Sequence, residues 1–288
     1  MIRLHRACIV AGVLLGAPAV VSQSYAQSYN IQTVAGTTRL KVGSLATAVP
    51  LRSPWGVAVD ASGVIYIADQ RDNRILKVGT DNKLSILAGD GTPGFSGDNG
   101  PALEASLDEP RALKLDGKGG LYVADYGNGR VRKIDLTKLT ISTVAGNGSF
   151  KSTGDKGNAL QAGMAPSDIA LDPTGNLYIA EFLNNRVRKV SAVDQTITTI
   201  AGNGTPGFSG DNNPASSSIL DGPTGISVDS QGLIYFVDYY NGEVRRIDPG
   251  SGLITDFAGD GFRNPEPRGS LFNRKKVAAY QPPIPNAA

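Results

Sequence analysis

Apolar residues run along this chain in short bursts, and the bursts come back in the same order. Pro54-Trp55-Gly56-Val57-Ala58-Val59-Asp60 returns as Pro110-Arg111-Ala112-Leu113-Lys114-Leu115-Asp116, as Pro166-Ser167-Asp168-Ile169-Ala170-Leu171-Asp172 and as Pro223-Thr224-Gly225-Ile226-Ser227-Val228-Asp229. The prolines are spaced by 56, 56 and 57 residues. A second burst follows each copy: Ile65-Tyr66-Ile67-Ala68-Asp69, Leu121-Tyr122-Val123-Ala124-Asp125, Leu177-Tyr178-Ile179-Ala180-Glu181 and Ile234-Tyr235-Phe236-Val237-Asp238. A third begins at Asn73-Arg74, Gly129-Arg130, Asn185-Arg186 and Gly242-Glu243, and a fourth ends in Ala88-Gly89, Ala145-Gly146, Ala201-Gly202 and Ala258-Gly259. Each burst is too short for a helix and is bounded by Gly, Asn, Asp or Pro, which predicts strands and turns. Asp60–Gly63 and its three copies predict a tight turn after the first strand of each unit, with Asp bonding nearby amides.

Four strands a, b, c and d repeated around an axis make a β-propeller blade, which takes roughly 40–50 residues. The surplus here lies between strand d and the next proline. Glycine supports this picture: 36 of 288 residues, or 12.5%, against roughly 7% in ordinary proteins. With 40% hydrophobic residues the chain is folded and rich in turns, not disordered.

The N-terminus stands apart. Arg3 and Arg6 precede an apolar run from Ala7 to Val21, and Ser24 and Ala26 supply the small residues of a processing site. Residues 1–26 are expected to be a signal peptide, giving a secreted or periplasmic protein with no membrane span after cleavage; an uncleaved N-terminal anchor is the alternative. Cleavage removes His5 and Cys8, the only histidine and cysteine, and leaves 26 basic against 26 acidic side chains. Disulfides, cysteine nucleophiles, Cys-rich zinc sites and His-based triads then drop out of the inventory. A neutral exported chain is also a poor nucleic-acid binder, so no nucleic-acid partner is expected.

Pro-x-Gly-Val-Ala-Val-Asp, the following Tyr-x-Ala-Asp, and Asn-x-Arg-Val-x-Lys together resemble NHL repeats. The run Ala88-Gly89-Asp90-Gly91-Thr92-Pro93-Gly94-Phe95-Ser96-Gly97-Asp98 resembles the long-loop type of bacterial exported proteins and teneurin-like NHL domains. The resemblance covers about residues 29 to 261. It implies an all-β fold, a β-propeller of NHL-type four-stranded blades spanning 29–280, with 281–288 a tail lacking strand signals. It does not choose a function, because the family mixes scaffolds, ligand-binding sensors and enzymes. The family usually closes with six blades. This chain carries four full units, a leading fourth-strand copy at Ile31–Gly36 and a decayed fifth start at Ser270–Tyr280, so an open or incomplete ring is expected over a compact four-bladed one. An open arc would pair with a second copy through its exposed blade edge.

In an antiparallel a-b-c-d meander the b–c and d–a loops leave on one face. That face carries Tyr126, Phe182 and Tyr239 from b–c loops, and Phe95, Asp98, Asp155, Phe208 and Asp211 from d–a loops. Variable loops at one mouth of a propeller commonly hold ligands, so these eight are the candidate ligand-binding residues, for a protein, peptide or glycan. The competing reading of the same loops is structural: glycines set turns, rings plug gaps and carboxylates cap amides. Asp98, Asn99, Asp211 and Asn212 invite a Ca²⁺ reading, but their spacing matches neither EF-hand nor RTX loops, so no metal and no cofactor is assigned.

The repeated Asp69, Asp125, Glu181 and Asp238, with Arg74, Arg130 and Arg186, are expected to form intra-blade structural pairs, since an active site needs asymmetry. Glu243 breaks that series and would leave Asp238 without its arginine. Lys77, Arg132-Lys133, Arg188-Lys189 and Arg245-Arg246 are expected on solvated strand faces. Asn147-Gly148-Ser149 and Asn203-Gly204-Thr205 fit glycosylation sequons and equally plain Asn-Gly turns. A non-catalytic binding scaffold is the leading expectation. The alternative from another class is a Ca²⁺-dependent lactonase- or lyase-like propeller enzyme without histidine; the histidine-dependent lyases among NHL-like propellers do not suit the mature inventory.

Overall fold

The computed structural model describes residues 42–259. Within them the strands form antiparallel sheets whose four blade strands neighbour each other in chain order. Blade one holds β1 (Pro54–Val59), β2 (Ile65–Asp69), β3 (Arg74–Val78) and β4 (Leu84–Ala88); blade two holds β5 (Pro110–Leu115), β6 (Gly120–Asp125), β7 (Arg130–Asp135) and β8 (Thr140–Ala145). Blade three holds β9 (Asp168–Leu171), β10 (Leu177–Glu181), β11 (Arg186–Val190) and β12 (Ile197–Ala201). Blade four holds β14 (Pro223–Val228), β15 (Ile234–Asp238), β16 (Glu243–Asp248) and β17 (Leu253–Ala258), and a two-residue strand, β13 (Asn213–Pro214), pairs with β17 on its outer edge. No α-helix occurs among the described residues, only three-residue 3₁₀ turns.

The a–b turn forms as the Asp-x-x-Gly spacing predicts. Asp60 Oδ1 accepts the main-chain N–H of Ser62 and Val64, and the Tyr66 hydroxyl donates to Asp60 Oδ2 at 3.1 Å. Blades three and four repeat this with Asp172–Tyr178 and Asp229–Tyr235, while in blade two Lys133 takes the tyrosine's place on Asp116 at 2.9 Å.

Blades stack small against large. Ala68 and Ala88 of blade one, with Tyr66 and Ile75, meet Leu113, Leu121 and Val123 of blade two. Ala124 and Ala145 meet Ile169 and Ile179 of blade three, and Ala180 and Ala201 meet Ile226 and Phe236 of blade four. Each fully buried Leu, Ile or Phe contributes roughly 1.5–3 kcal/mol, so these three inter-blade cores hold the fold. At the inner strands the approach is tighter still: a Cβ on Gly56 would lie 2.1 Å from the Arg111 carbonyl oxygen.

Each d–a connection then crosses to the outer edge of the next blade. Asn99 N–H donates to the Ile141 carbonyl, Ala102 N–H to Leu139, and Ile141 N–H to Gly100. The same ladder recurs at Lys156, Ala159 and Ile197, and at Asn212 and Ala215. Residues 43–46 make it with Asn82 and Leu84, so the segment entering blade one has the shape of a d–a connection. The crossing covers strand d, whose bare edge would invite aggregation.

Packing between blades runs β1, β5, β9, β14, and no core joins blade four to blade one among the described residues. The described residues form an open arc of four propeller blades. The expected signal peptide at 1–26, Ile31–Gly36, Ser270–Tyr280 and 281–288 lie outside the described residues, as does part of the 29–280 domain span.

Candidate functional site

Each strand b ends in a carboxylate, and a single 3₁₀ turn follows: Gln70–Asp72, Tyr126–Asn128, Phe182–Asn184 and Tyr239–Asn241. A left-handed residue closes every turn, Asn73, Gly129, Asn185 or Gly242, with φ between 51° and 70°. The reversal sets the first residue of each turn at the mouth of the arc, beside the second residue of the inner strands. The Arg111 guanidinium lies 3.3 Å from the Tyr126 ring centre and 5.2 Å from that of Trp55. Tyr126 meets Phe150 edge-on at 5.8 Å. Further along, Phe182 packs on Tyr240 at 5.5 Å and on Tyr239 at 6.2 Å. Trp55, Tyr239 and Tyr240 are exposed, at 60%, 51% and 42%. Glu109 and Gln70 add polar groups: Arg111 Nη2 lies 3.3 Å from Glu109 Oε2, which accepts the Gln70 amide at 3.2 Å. The mouth therefore carries two aromatic groups, one around the Arg111 cation and one of Phe182, Tyr239 and Tyr240, able to stack on rings or flat apolar faces and, at Arg111, to pair with an anion.

The d–a loops build something else. Arg132, Arg188 and Arg245 are fully buried, and each joins a strand-b carboxylate to a loop carboxylate. Arg132 sits 3.5 Å from Asp125 and 2.8 Å from Asp98; Arg188 sits 3.5 Å from Glu181 and 2.7 Å from Asp155; Arg245 sits 3.8 Å from both Asp238 and Asp211. Each also donates to a loop carbonyl, of Ser96, Thr153 or Ser209. A side-chain amide completes each clasp, Asn128 to Gly94 O, Asn184 to Phe150 O and Asn241 to Gly207 O. Burial raises the Asp125 and Asp238 carboxyls to about 6, against the pull of these donors.

Of the eight candidate residues, the structure gathers Tyr126, Phe182 and Tyr239 at the mouth. It places Phe95, Asp98, Asp155, Phe208 and Asp211 in the clasps, where Phe95 lies under Arg130 at 3.7 Å and Phe208 beside Arg245 at 5.0 Å. Two expectations about arginine are corrected. The partners of the strand-b carboxylates are not Arg130 and Arg186: Arg130 donates to the Asn128 and Asn147 carbonyls, and Arg186 to those of Asn184 and Asn203. Arg132, Arg188 and Arg245 are not on solvated faces, because the d–a loop arriving from the preceding blade covers each of them; so Asp238 keeps an arginine although Glu243 replaces the other one. Trp55, Arg111, Phe150 and Tyr240 were not picked out as site residues. Trp55 is the chain's single tryptophan and Arg111 holds the same repeat position, which is the signal that would have found them.

The family model that matches is the teneurin NHL domain, over residues 26–135. Human teneurin-4 is 35% identical over 125 residues, which is 38% of this chain and 4% of teneurin-4. Human NHL repeat-containing protein 2 is 28% identical over 251 residues, 74% of this chain and 33% of its own length. The chain is similar to NHL-repeat proteins.

The chain thus spans only a small part of these larger NHL-containing relatives. Similar solved structures include a streptogramin B lyase, at TM-score 0.47 and 16% identity over 71% of this chain and 54% of that one. Virginiamycin B lyase from Staphylococcus aureus aligns at TM-score 0.44 and 20% identity, over 75% and 71%. Among the described residues, no three His, Cys, Asp or Glu converge to hold a metal ion, and no helix is long and apolar enough to cross a membrane. A cavity of about 650 Å³ opens on the opposite, a–b/c–d face, between the ends of β5 and β9.

Proposed function

We propose that the protein is an exported, non-catalytic binding module that holds an extended peptide or glycan against the b–c face of its NHL arc. The observation that carries this reading is the shelf of Trp55, Arg111, Tyr126, Phe182, Tyr239 and Tyr240, which draws on all four blades. Aromatic groups left in water at a mouth, beside a cation already held in place, suit ligands with flat faces and scattered polar groups. The clasps support it indirectly, since they fix the loops that flank the shelf.

Trp55 makes the test simple, because its emission comes from the shelf alone. Titration with neutral and acidic oligosaccharides and with a decapeptide library should give a saturable change in Trp55 fluorescence for one class. Tyr239→Ala should weaken that response about tenfold, the loss of one stacked ring worth roughly 1.4 kcal/mol. A flat response across both panels, or a response that Tyr239→Ala leaves intact, removes this reading. Export is tested separately: the mass of the protein recovered outside the cytosol should start at Gln27, and full-length protein confined to the cytosol contradicts it.

A further inference from the structure

The repeat provides an internal standard for what a covered blade looks like. Leu113, Ile169 and Ile226 occupy one repeat position, on the face that each blade turns towards its predecessor, and are 3%, 0% and 2% exposed. Val57 holds that position in blade one and is 64% exposed; Val59, two residues on, is 57% exposed. Among the described residues the entering segment covers the outer part of this face, with Ala46 and Val49 on Ile67, Leu76, Val78 and Leu84. The far end of the arc shows the reciprocal. Ala88, Ala145 and Ala201 are fully buried against the following blade, whereas Ala258 is exposed. Leu87 is 6% exposed in blade one, and its counterpart Phe257 is 55% exposed.

Both faces keep apolar residue types at these positions, exposed valines on one and exposed Phe257 with half-buried Val237 and Val244 on the other. One is the front of a blade and the other is the back of a blade. The three inter-blade cores of this chain are all front-to-back contacts of this kind. We infer that the two bare faces are halves of one interface, and that the back of blade four in one copy packs on the front of blade one in a second copy. A second copy is the occupant that supplies both halves already shaped for each other. The contact is head-to-tail, so it closes when two arcs complete a ring and propagates when they do not.

Light scattering on the full chain as expressed should give a mass of two copies or a higher multiple. Val57→Glu and Phe257→Glu should each reduce it to the monomer with unchanged circular dichroism, and with a melting temperature lowered only by the loss of association; Val59→Glu should repeat the first result. Mixing is the decisive arm. Val57→Glu retains an intact blade-four back and Phe257→Glu an intact blade-one front, so a mixture of the two should recover a dimer through one good contact. A monomeric parent at every concentration, its faces covered from within the same chain or by another protein, overturns the inference. So does a mixture that stays monomeric, which is what a like-to-like contact would give.

Discussion

The guanidinium of Arg132, with no exposed surface, lies 2.8 Å from the carboxylate of Asp98 on the preceding d–a loop and 3.5 Å from that of Asp125 in its own blade. One side chain therefore ties a loop to the sheet it crosses. The same triangle recurs at Arg188 and Arg245, and it explains why the long loops between blades have fixed paths. Buried ion pairs seldom add net stability over an apolar core, but breaking one is costly because a charge is left without its partner.

Arg132→Ala should accordingly destabilise the fold by about 3–5 kcal/mol in urea unfolding. Arg132→Leu should not rescue it, although blade one carries Leu76 at this position. Asp69 there is held by the main-chain N–H groups of Arg52 and Ser53, whereas Asp125 also relies on Arg132. A melting curve for Arg132→Leu that matches the parent would show that the clasp is dispensable.

Arg130 acts differently from Arg132, two residues away. Its two terminal nitrogens donate to Asn128 O and Asn147 O at 2.8 Å each, and its plane covers Phe95. Arg130→Ala should cost about 1–3 kcal/mol, less than Arg132→Ala. Arg130→Lys should recover only part of the loss, since one ammonium cannot reproduce the planar fork. Full recovery by lysine would mean that charge alone matters.

The blades were legible in the sequence because period-2 alternation, Asp-x-x-Gly turns and a 56-residue repeat all act locally. The shared face of b–c and d–a loops followed from strand order alone. What a single blade cannot reveal is which side chains the next blade covers. Arg132 alternates with apolar residues and looks solvated along β7; only the loop arriving from blade one buries it. Trp55 and Arg111 were hidden for the opposite reason. They stand at a strand position occupied elsewhere by Ser167 and Thr224, and a bulge after Pro54 turns that position from the sheet face.

Gly56 tests how closely the inner strands meet. Gly56→Ala sets a Cβ against the Arg111 carbonyl and the Ala112 backbone, so blades one and two must separate or tilt. The change should cost about 1–3 kcal/mol and should alter the emission of the adjacent Trp55. Gly232→Ala, where nothing lies within 4 Å but φ is 85°, should leave Trp55 emission untouched while carrying backbone strain. Equal effects of the two substitutions on Trp55 would dismiss the close-approach argument.

Blade four concentrates negative charge around a single arginine, and this gives the fold a pH dependence. Asp211, Asp238, Glu243 and Asp256 all approach Arg245. Burial, then the neighbouring Asp256, pushes the Glu243 carboxyl up to about 7 against the counter-pull of Arg245, and burial raises Asp238 to about 6. A folded-state pKa above the unfolded value means that the folded chain holds protons which the unfolded chain has released. Stability from these groups is therefore complete below about pH 4 and is lost as pH rises through 6 and 7. The melting temperature should fall between pH 5 and pH 8. Glu243→Gln removes the most perturbed member and leaves Arg245 three carboxylates, so the variant should be more stable than the parent at the alkaline end by about 2 kcal/mol. The two should converge at the acid end. Calorimetry across this range decides the matter: a parent that gains stability with rising pH, or a Glu243→Gln variant with an unchanged slope, would show that Arg245 keeps all four carboxylates ionised.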